Sequence, residues 1–291
     1  MKKKLTEKSS WIWSIVILGG IPLVIYILWR YLVSKNAFDK TLLIHPYEIG
    51  TAKINRPVTL VLLTDLHNNF FGTEQNELVK AIQTVNPDVI LMAGDMIDRK
   101  FPLDGFLALI RNLPESVPAF FVTGNNDFWK GYPAGIKTIL RDHRVNVLEG
   151  ECVLINVKNQ MIDVCGIDDP KIGKKIYHAQ ISSAGEQKNS GCYSILLMHR
   201  PDRRHLNEVL PYHYDLILSG HAHGGQWRIP GLVNGLIAPD QGIFPRYTGG
   251  LYQHGETNQI VSRGLAKNSS LIPRIFNRPE LVVIQLLPDK R

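Results

Sequence analysis

Five short clusters carry the side chains able to do chemistry in this chain: Asp65-x-His67, Gly94-Asp95-x-x-Asp98, Gly124-Asn125-Asn126-Asp127, His199 and Gly220-His221-x-His223. Carboxylates, imidazoles and a carboxamide oxygen are hard and borderline donors, a set that suits a pair of divalent ions such as Mn²⁺, Zn²⁺ or Fe²⁺. Two such ions held together serve in-line attack at phosphorus. For side chains spread from Asp65 to His223 to meet, the backbone must return repeatedly to one place. Each cluster directly follows a run of β-branched and aliphatic residues that reads as a buried strand, and such runs deliver their polar ends to one rim of a sheet.

The elements around these runs are consistent with that geometry. Strands are predicted over 58–64, 87–93 and 119–123, alternating with helices over 74–84, 103–113 and 134–142. The pattern then turns to β. Residues 153–157 and 161–166 alternate apolar and polar positions about a short turn, and further strands fall at 193–198, 216–219, 259–262 and 281–287. A helix is expected near 203–210, and the polar stretch 171–190 reads as a surface loop. Strand-helix alternation followed by a β-rich half predicts a layered α/β sandwich, with helices flanking two packed mixed sheets.

Residues 11–29 contain no charged side chain and are bracketed by Trp11, Trp13, Trp29 and Tyr31. A run of this length approaches the ~30 Å hydrocarbon thickness of a bilayer, and aromatic rings favour its two interfaces. The expectation is a retained single-pass anchor with a short N-terminal tail (1–33), a linker (34–56) and a catalytic domain (57–288). Lys2, Lys3, Lys4 and Lys8 before the run slightly outweigh Arg30, Lys35 and Lys40 after it, which places the domain on the extracytoplasmic side of the cell membrane.

A net charge of +7 with pI near 9.2 fits an anionic substrate or an anionic lipid surface. The basic residues form no dense arm, so no nucleic-acid partner is expected. With 44% hydrophobic and 20% charged residues the chain has the composition of one ordinary globular core. Cys152, Cys165 and Cys192 lack zinc-ligand spacing. Cys152 and Cys165 can face each other across a hairpin turning at Lys158-Asn159. A cross-strand disulfide is open there, with buried free thiols the expectation.

With these motifs in order, the chain resembles the calcineurin-like metallophosphoesterase family over about 57–287. Within it, the ending Gly220-His-x-His-Gly-Gly-Gln226 is similar to a membrane-anchored bacterial branch. The resemblance implies a four-layer α/β/β/α sandwich preceded by one transmembrane helix. It implies a first metal on Asp65, His67, Asp95 and His223, and a second on Asp95, Asn125, His199 and His221, with Asp95 shared. Asp98 is then either a partner orienting a ligating imidazole or a turn residue. Asp127 is either part of the catalytic motif or a cap on the segment that follows. Arg200 is a candidate phosphate clamp.

One position departs from the family pattern. Where many members carry a histidine thought to protonate the leaving oxygen, this chain has Asn126. A carboxamide donates a hydrogen bond but is no practical general acid. Its presence favours substrates whose leaving group is already a weak base, such as pyrophosphates or activated phosphodiesters. Together with an anchor, this points toward a phosphorylated, lipid-linked substrate of the kind cleaved by enzymes resembling UDP-2,3-diacylglucosamine pyrophosphatases. The rival reading is a catalytically degenerate, membrane-anchored protein that binds metal or phospholipid without turnover.

Overall fold

The computed structural model describes residues 20–98, 102–128, 133–267 and 272–289. The chain forms two compact units, Met1–Asp39 and Lys40–Arg291. In the first, helix α1 (Ile21–Ser34) is apolar and largely exposed. Its 14 residues span about 21 Å at ~1.5 Å per residue, short of a ~30 Å hydrocarbon core. Among the described residues no helix is long and apolar enough to cross a membrane. That finding overturns the expected single-pass anchor, and with it the cell-membrane location and the outward placement of the domain. Residues 11–19 of the expected span lie outside the described residues.

The second unit is built on two six-stranded sheets. Across the first, the order is β1 (Leu43–Thr51), β14 (Glu280–Pro288), β2 (Val58–Leu63), β3 (Val89–Ala93), β4 (Ala119–Val122) and β5 (Val145–Val147). Strands β2 to β5 are parallel, while β14 runs antiparallel to β2 and parallel to β1. The second sheet has the order β12 (Gly250–His254), β13 (Thr257–Val261), β9 (Leu216–Ser219), β8 (Tyr193–Leu197), β7 (Gln160–Gly166) and β6 (Cys152–Val157). Its four inner strands are parallel, and an antiparallel strand closes each edge.

Side-chain alternation assigns the layers. Leu60, Leu62, Leu91 and Phe120 point into one core shared with Ile195, Leu197 and Leu218 of the opposite sheet. The intervening Val61, Leu63, Ile90, Met92 and Phe121 face helices α2 (Asn76–Val85), α3 (Asp104–Asn112) and α4 (Pro133–Asp142). On the far side, Leu196 and Ile217 pack with α5 (Lys174–Gln187) and α6 (Arg203–Val209). Strands buried on both faces read as continuous apolar runs, which is why β2, β3, β4, β8 and β9 were recognisable. The expected α/β/β/α layering is the one observed; among the described residues no membrane-spanning helix precedes it.

Three expectations need correction. Residues 43–51 of the supposed linker form β1, an edge strand that tolerates Pro46 because one side of its ladder is free. The supposed loop at 171–190 is mostly α5, whose buried stripe is only Tyr177, Gln180, Ile181 and Ala184 on an otherwise polar helix. Cys152 and Cys165 stand opposite each other in the β6–β7 ladder and are disulfide-bonded, not free thiols.

Candidate metal centre

All five motifs lie just past the C-terminal ends of parallel strands: Asp65 and His67 after β2, Asp95 after β3, Asn125 after β4, His199 after β8, and His221 and His223 after β9. They converge as two buried clusters, Asp65–His67–His223 and Asp95–His199–His221, each with donor atoms within 4.8 Å of one another. Asp95 Oδ2 lies 3.3 Å from His199 Nε2 and 3.7 Å from His67 Nε2, so one carboxylate oxygen faces both clusters. His67 Nε2 and Asn125 Oδ1 are buried without a hydrogen-bond partner. Buried polar atoms are rarely left so, and a cation would satisfy both. The donor set and these unmet atoms fit a pair of divalent ions.

The backbone is bent to this purpose. Asp65, His67, Asp95, His221 and His223 all adopt left-handed φ angles, between 47° and 66°. Such conformations are costly for non-glycine residues and concentrate at functional sites. The glycines of two motifs answer to crowding by other motifs. A Cβ at Gly94 would sit 2.7 Å from His199 Nδ1, and one at Gly220 only 2.3 Å from Asp65 Oδ2.

A surrounding set of acceptors fixes the rings. His199 Nδ1 donates to the Ala93 carbonyl at 2.8 Å, which turns Nε2 toward Asp95. His221 Nε2 donates to Asp240 Oδ2 at 2.8 Å and leaves Nδ1 facing the cluster, 3.1 Å from His199 Nε2. Asp98 Oδ2 stands 3.2 Å from His67 Nδ1, the place of an orienting partner. Ligating histidines are commonly held in this way. Asp240 lies in a turn between β10 (Ile237–Ala238) and β11 (Gly242–Ile243), and neither periodicity nor spacing marked it.

Both expected catalytic residues and the expected phosphate clamp are tied up in contacts within the protein. Asp127 accepts from the backbone N–H groups of Gly124, Asp95 and Ile97, at 2.7, 2.9 and 3.3 Å. It brackets the β3 and β4 loops together, and burial raises its carboxyl to about 7 against the pull of those donors. Asn126 donates to Asp95 through both its backbone N–H (2.7 Å) and its Nδ2 (2.6 Å). Arg200 forms a bidentate pair with Asp169 and also reaches Asp240. Its fork is committed to carboxylates, so it braces the Asp240–His221 contact and is not open to phosphate.

Charges within the clusters are unequal. Burial alone would lower the His199 imidazole, but Asp95 outweighs it and holds His199 up at about 10. Burial likewise works against the Asp95 anion, yet His199 keeps that carboxyl well below the usual range. His223 is pushed well down by burial and by neighbouring His67 and Arg274. A cation taking His199 as a ligand must displace its proton, whereas His223 is already neutral.

Residues 58–225 match the calcineurin-like phosphoesterase family, more than half of the chain. The chain belongs to that family. Calcineurin-like phosphoesterases use a dinuclear metal centre, and the two clusters are candidate ligand sets for it. The Bacillus subtilis metallophosphoesterase YkuE is 30% identical over 235 residues, covering 78% of either chain. The Escherichia coli phosphodiesterase YaeI is 29% identical over 238 residues, 79% of this chain and 83% of that one. A Helicobacter pylori (strain J99) metallophosphoesterase is 29% identical over 253 residues, 82% of this chain, and the chain spans only 62% of its length. The family domain points to phosphoester hydrolysis.

Proposed function

We propose that this calcineurin-like phosphoesterase hydrolyses phosphodiester or pyrophosphate bonds at a centre of two divalent ions, with Mn²⁺ the first candidate and Fe²⁺ or Zn²⁺ the alternatives. The observation that carries the reading is Asp95 Oδ2, turned at once to His67 and His199. In this reading Asp65, His67, His223 and Asp95 would hold one ion, and Asp95, Asn125, His199 and His221 would hold the other. When bound, two such ions would supply Lewis acidity at phosphorus and a water made nucleophilic at neutral pH.

The chain's own groups set the rest. Asn126 and Asp127 act by position: the first clamps both oxygens of Asp95, the second ties its backbone to the β4 loop. Neither offers a proton to a leaving oxygen. A positioned general acid contributes about 10²–10⁴-fold where the leaving group is poor, and without one the favoured substrates are those with a weakly basic leaving group. Pyrophosphates of nucleotides and activated diesters are that class, and an acylated nucleotide-sugar of the UDP-2,3-diacylglucosamine kind is one member.

The test is to compare the Mn²⁺-loaded chain on a nucleotide-linked pyrophosphate and on a plain dialkyl phosphodiester, with Asp95→Asn as control. Faster turnover of the pyrophosphate, lost in the control, is expected. Equal turnover or a preference for the alkyl ester refutes the leaving-group argument. Metal binding with no release from any activated substrate refutes the hydrolase itself and leaves a binding protein.

A further inference from the structure

Beside the Asp65–His223 half of the centre lies a concentration of guanidinium groups that the proposed hydrolysis does not use. Arg228, Arg263 and Arg274 come from three separate segments after β9; Arg263 pairs with the buried carboxylate Glu280, and the other two lie near enough to feel its charge. That carboxylate is already engaged at both oxygens. Its Oε1 accepts from the Arg263 backbone N–H at 2.8 Å, and its Oε2 meets His45 Nδ1 at 2.9 Å and Arg263 Nε at 3.3 Å. Among the described residues neither Arg228 nor Arg274 has an ion pair within 4.0 Å.

Arg274 is the most telling of the three. It is 4% exposed, and only its Nη2 is satisfied, by the Arg263 carbonyl at 2.7 Å. Its Nε and Nη1 are buried with no partner. A guanidinium has five donors and cannot shed its charge in a protein, so leaving two of its nitrogens unmet is expensive unless an anion visits. Arg228 is half-buried, with Nη2 on Asn234 and Nη1 only 3.4 Å from the Gly224 carbonyl, one residue past His223. Arg228 and Arg263 converge on Gly249, where a Cβ would meet Arg263 Cγ at 2.8 Å and Arg228 Nη1 at 3.3 Å. Burial and the neighbouring Arg263 charge lower the Arg228 guanidinium to about 10, and burial does the same to Arg274.

We infer that Arg228 and Arg263, backed by Arg274, form an anion subsite beside the metal centre that binds a second phosphoryl group of the substrate. Planar guanidinium forks match phosphate oxygens two at a time, which makes arginine the residue for such a task. The subsite rests on the proposed phosphoesterase reading and narrows it: of the substrates with a weakly basic leaving group, those that carry a further phosphoryl group are selected. Arg200 cannot serve in this way, since Asp169 and Asp240 occupy its fork.

The experiment uses the full chain loaded with Mn²⁺. The kcat/KM for a nucleoside diphosphate ester is divided by that for bis(4-nitrophenyl) phosphate, which has no second phosphoryl group. The ratio is measured for the unaltered chain and for Arg228→Met, Arg263→Met and the charge-keeping Arg228→Lys. Arg228→Met and Arg263→Met are expected to lower the ratio about 10- to 100-fold, through KM for the diphosphate ester, and Arg228→Lys to lower it less. In parallel, the unfolding midpoint of chelator-treated chain is followed against inorganic pyrophosphate. It should rise with concentration in the unaltered chain and rise less in both Met variants. A ratio that stays put, or a pyrophosphate response identical in all variants, overturns the subsite. Failure of the unaltered chain to cleave either ester counts against the phosphoesterase reading instead, and the pyrophosphate measurement still decides the subsite.

Discussion

The two sheets bring unlike chemistry to one centre. The loops of the β2–β3–β4 side supply Asp65, Asp95 and Asn125 with one imidazole, His67, whereas those of the β8–β9 side supply imidazoles only, His199, His221 and His223. The fastening differs as well. On the first side, backbone N–H groups and Asp127 hold the loops, an arrangement local to that sheet. On the second, the rings are held from outside their own strands: His199 by a carbonyl of β3, His221 by Asp240. Neither sheet alone supplies either candidate cluster in full. The centre exists only while the shared core of Leu60, Leu62, Phe120, Leu197 and Leu218 keeps the sheets in register.

The sharpest way to break this pairing is at the residue facing both sides. Asp95→Asn should lower hydrolysis about a thousandfold or more, since several kcal/mol of charge stabilisation go with the shared carboxylate. Metal content per chain should fall at the same time. A variant that kept both ions and most of its activity would show that the two clusters work separately.

Next in size is the ion pair that ties the halves together. Lys137 of α4, on the first sheet's side, reaches Asp168 just after β7 of the second at 2.8 Å, and Asp168 is fully buried. Lys137→Met should cost about 3–5 kcal/mol in urea unfolding, because a buried carboxylate is left uncompensated. A cost under about 1 kcal/mol would mean that Thr123 and Gln180, which also donate to Asp168, suffice.

Asp240→Asn probes the second side alone. Loss of the acceptor on His221 should weaken Mn²⁺ binding about 10- to 100-fold by titration calorimetry, with little change in global stability. The smallest effect is in acid. The hydrogen bond from His221 leads in holding the Asp240 carboxyl down at about 2. A depressed carboxylate stabilises the fold above its ordinary range and loses that contribution as pH falls toward the folded value. The stability difference between the unaltered chain and Asp240→Asn should therefore be flat above about pH 4 and shrink toward pH 2. Since Asp240 is half exposed, its size should stay below about 1 kcal/mol. A difference that grows in acid would reverse the assigned sign.

What the sequence disclosed follows from how these parts are fastened. Strands buried on both faces write themselves as unbroken apolar runs, and polar side chains just past the ends of such runs gather at one rim, so the convergence of Asp65 to His223 was legible. Asp240 was not, because its meeting with His221 depends on where a turn folds back, and nothing local signals that. The commitment of Arg200 to Asp169 and Asp240 was hidden for the same reason. Helix α5 escaped notice since a four-residue stripe is faint among polar neighbours. The strand at 43–51 was obscured because its partner among the described residues lies far off in sequence, at 280–288. The apolar N-terminal run suggested a bilayer, while the described helix there is 14 residues long.

That distant partnership bears on how the protein is made. Strand β14 lies between β1 and β2 and, among the described residues, is the sole neighbour of β1. As the chain leaves the ribosome, two strands of the first sheet therefore wait with unpaired edges until residues 280–288 have emerged. Unpaired edges invite intermolecular pairing, and contacts this far apart in sequence form slowly. A nascent chain stalled before residue 280 should be insoluble and captured by chaperones, whereas release of β14 should end that vulnerability in a single closing step.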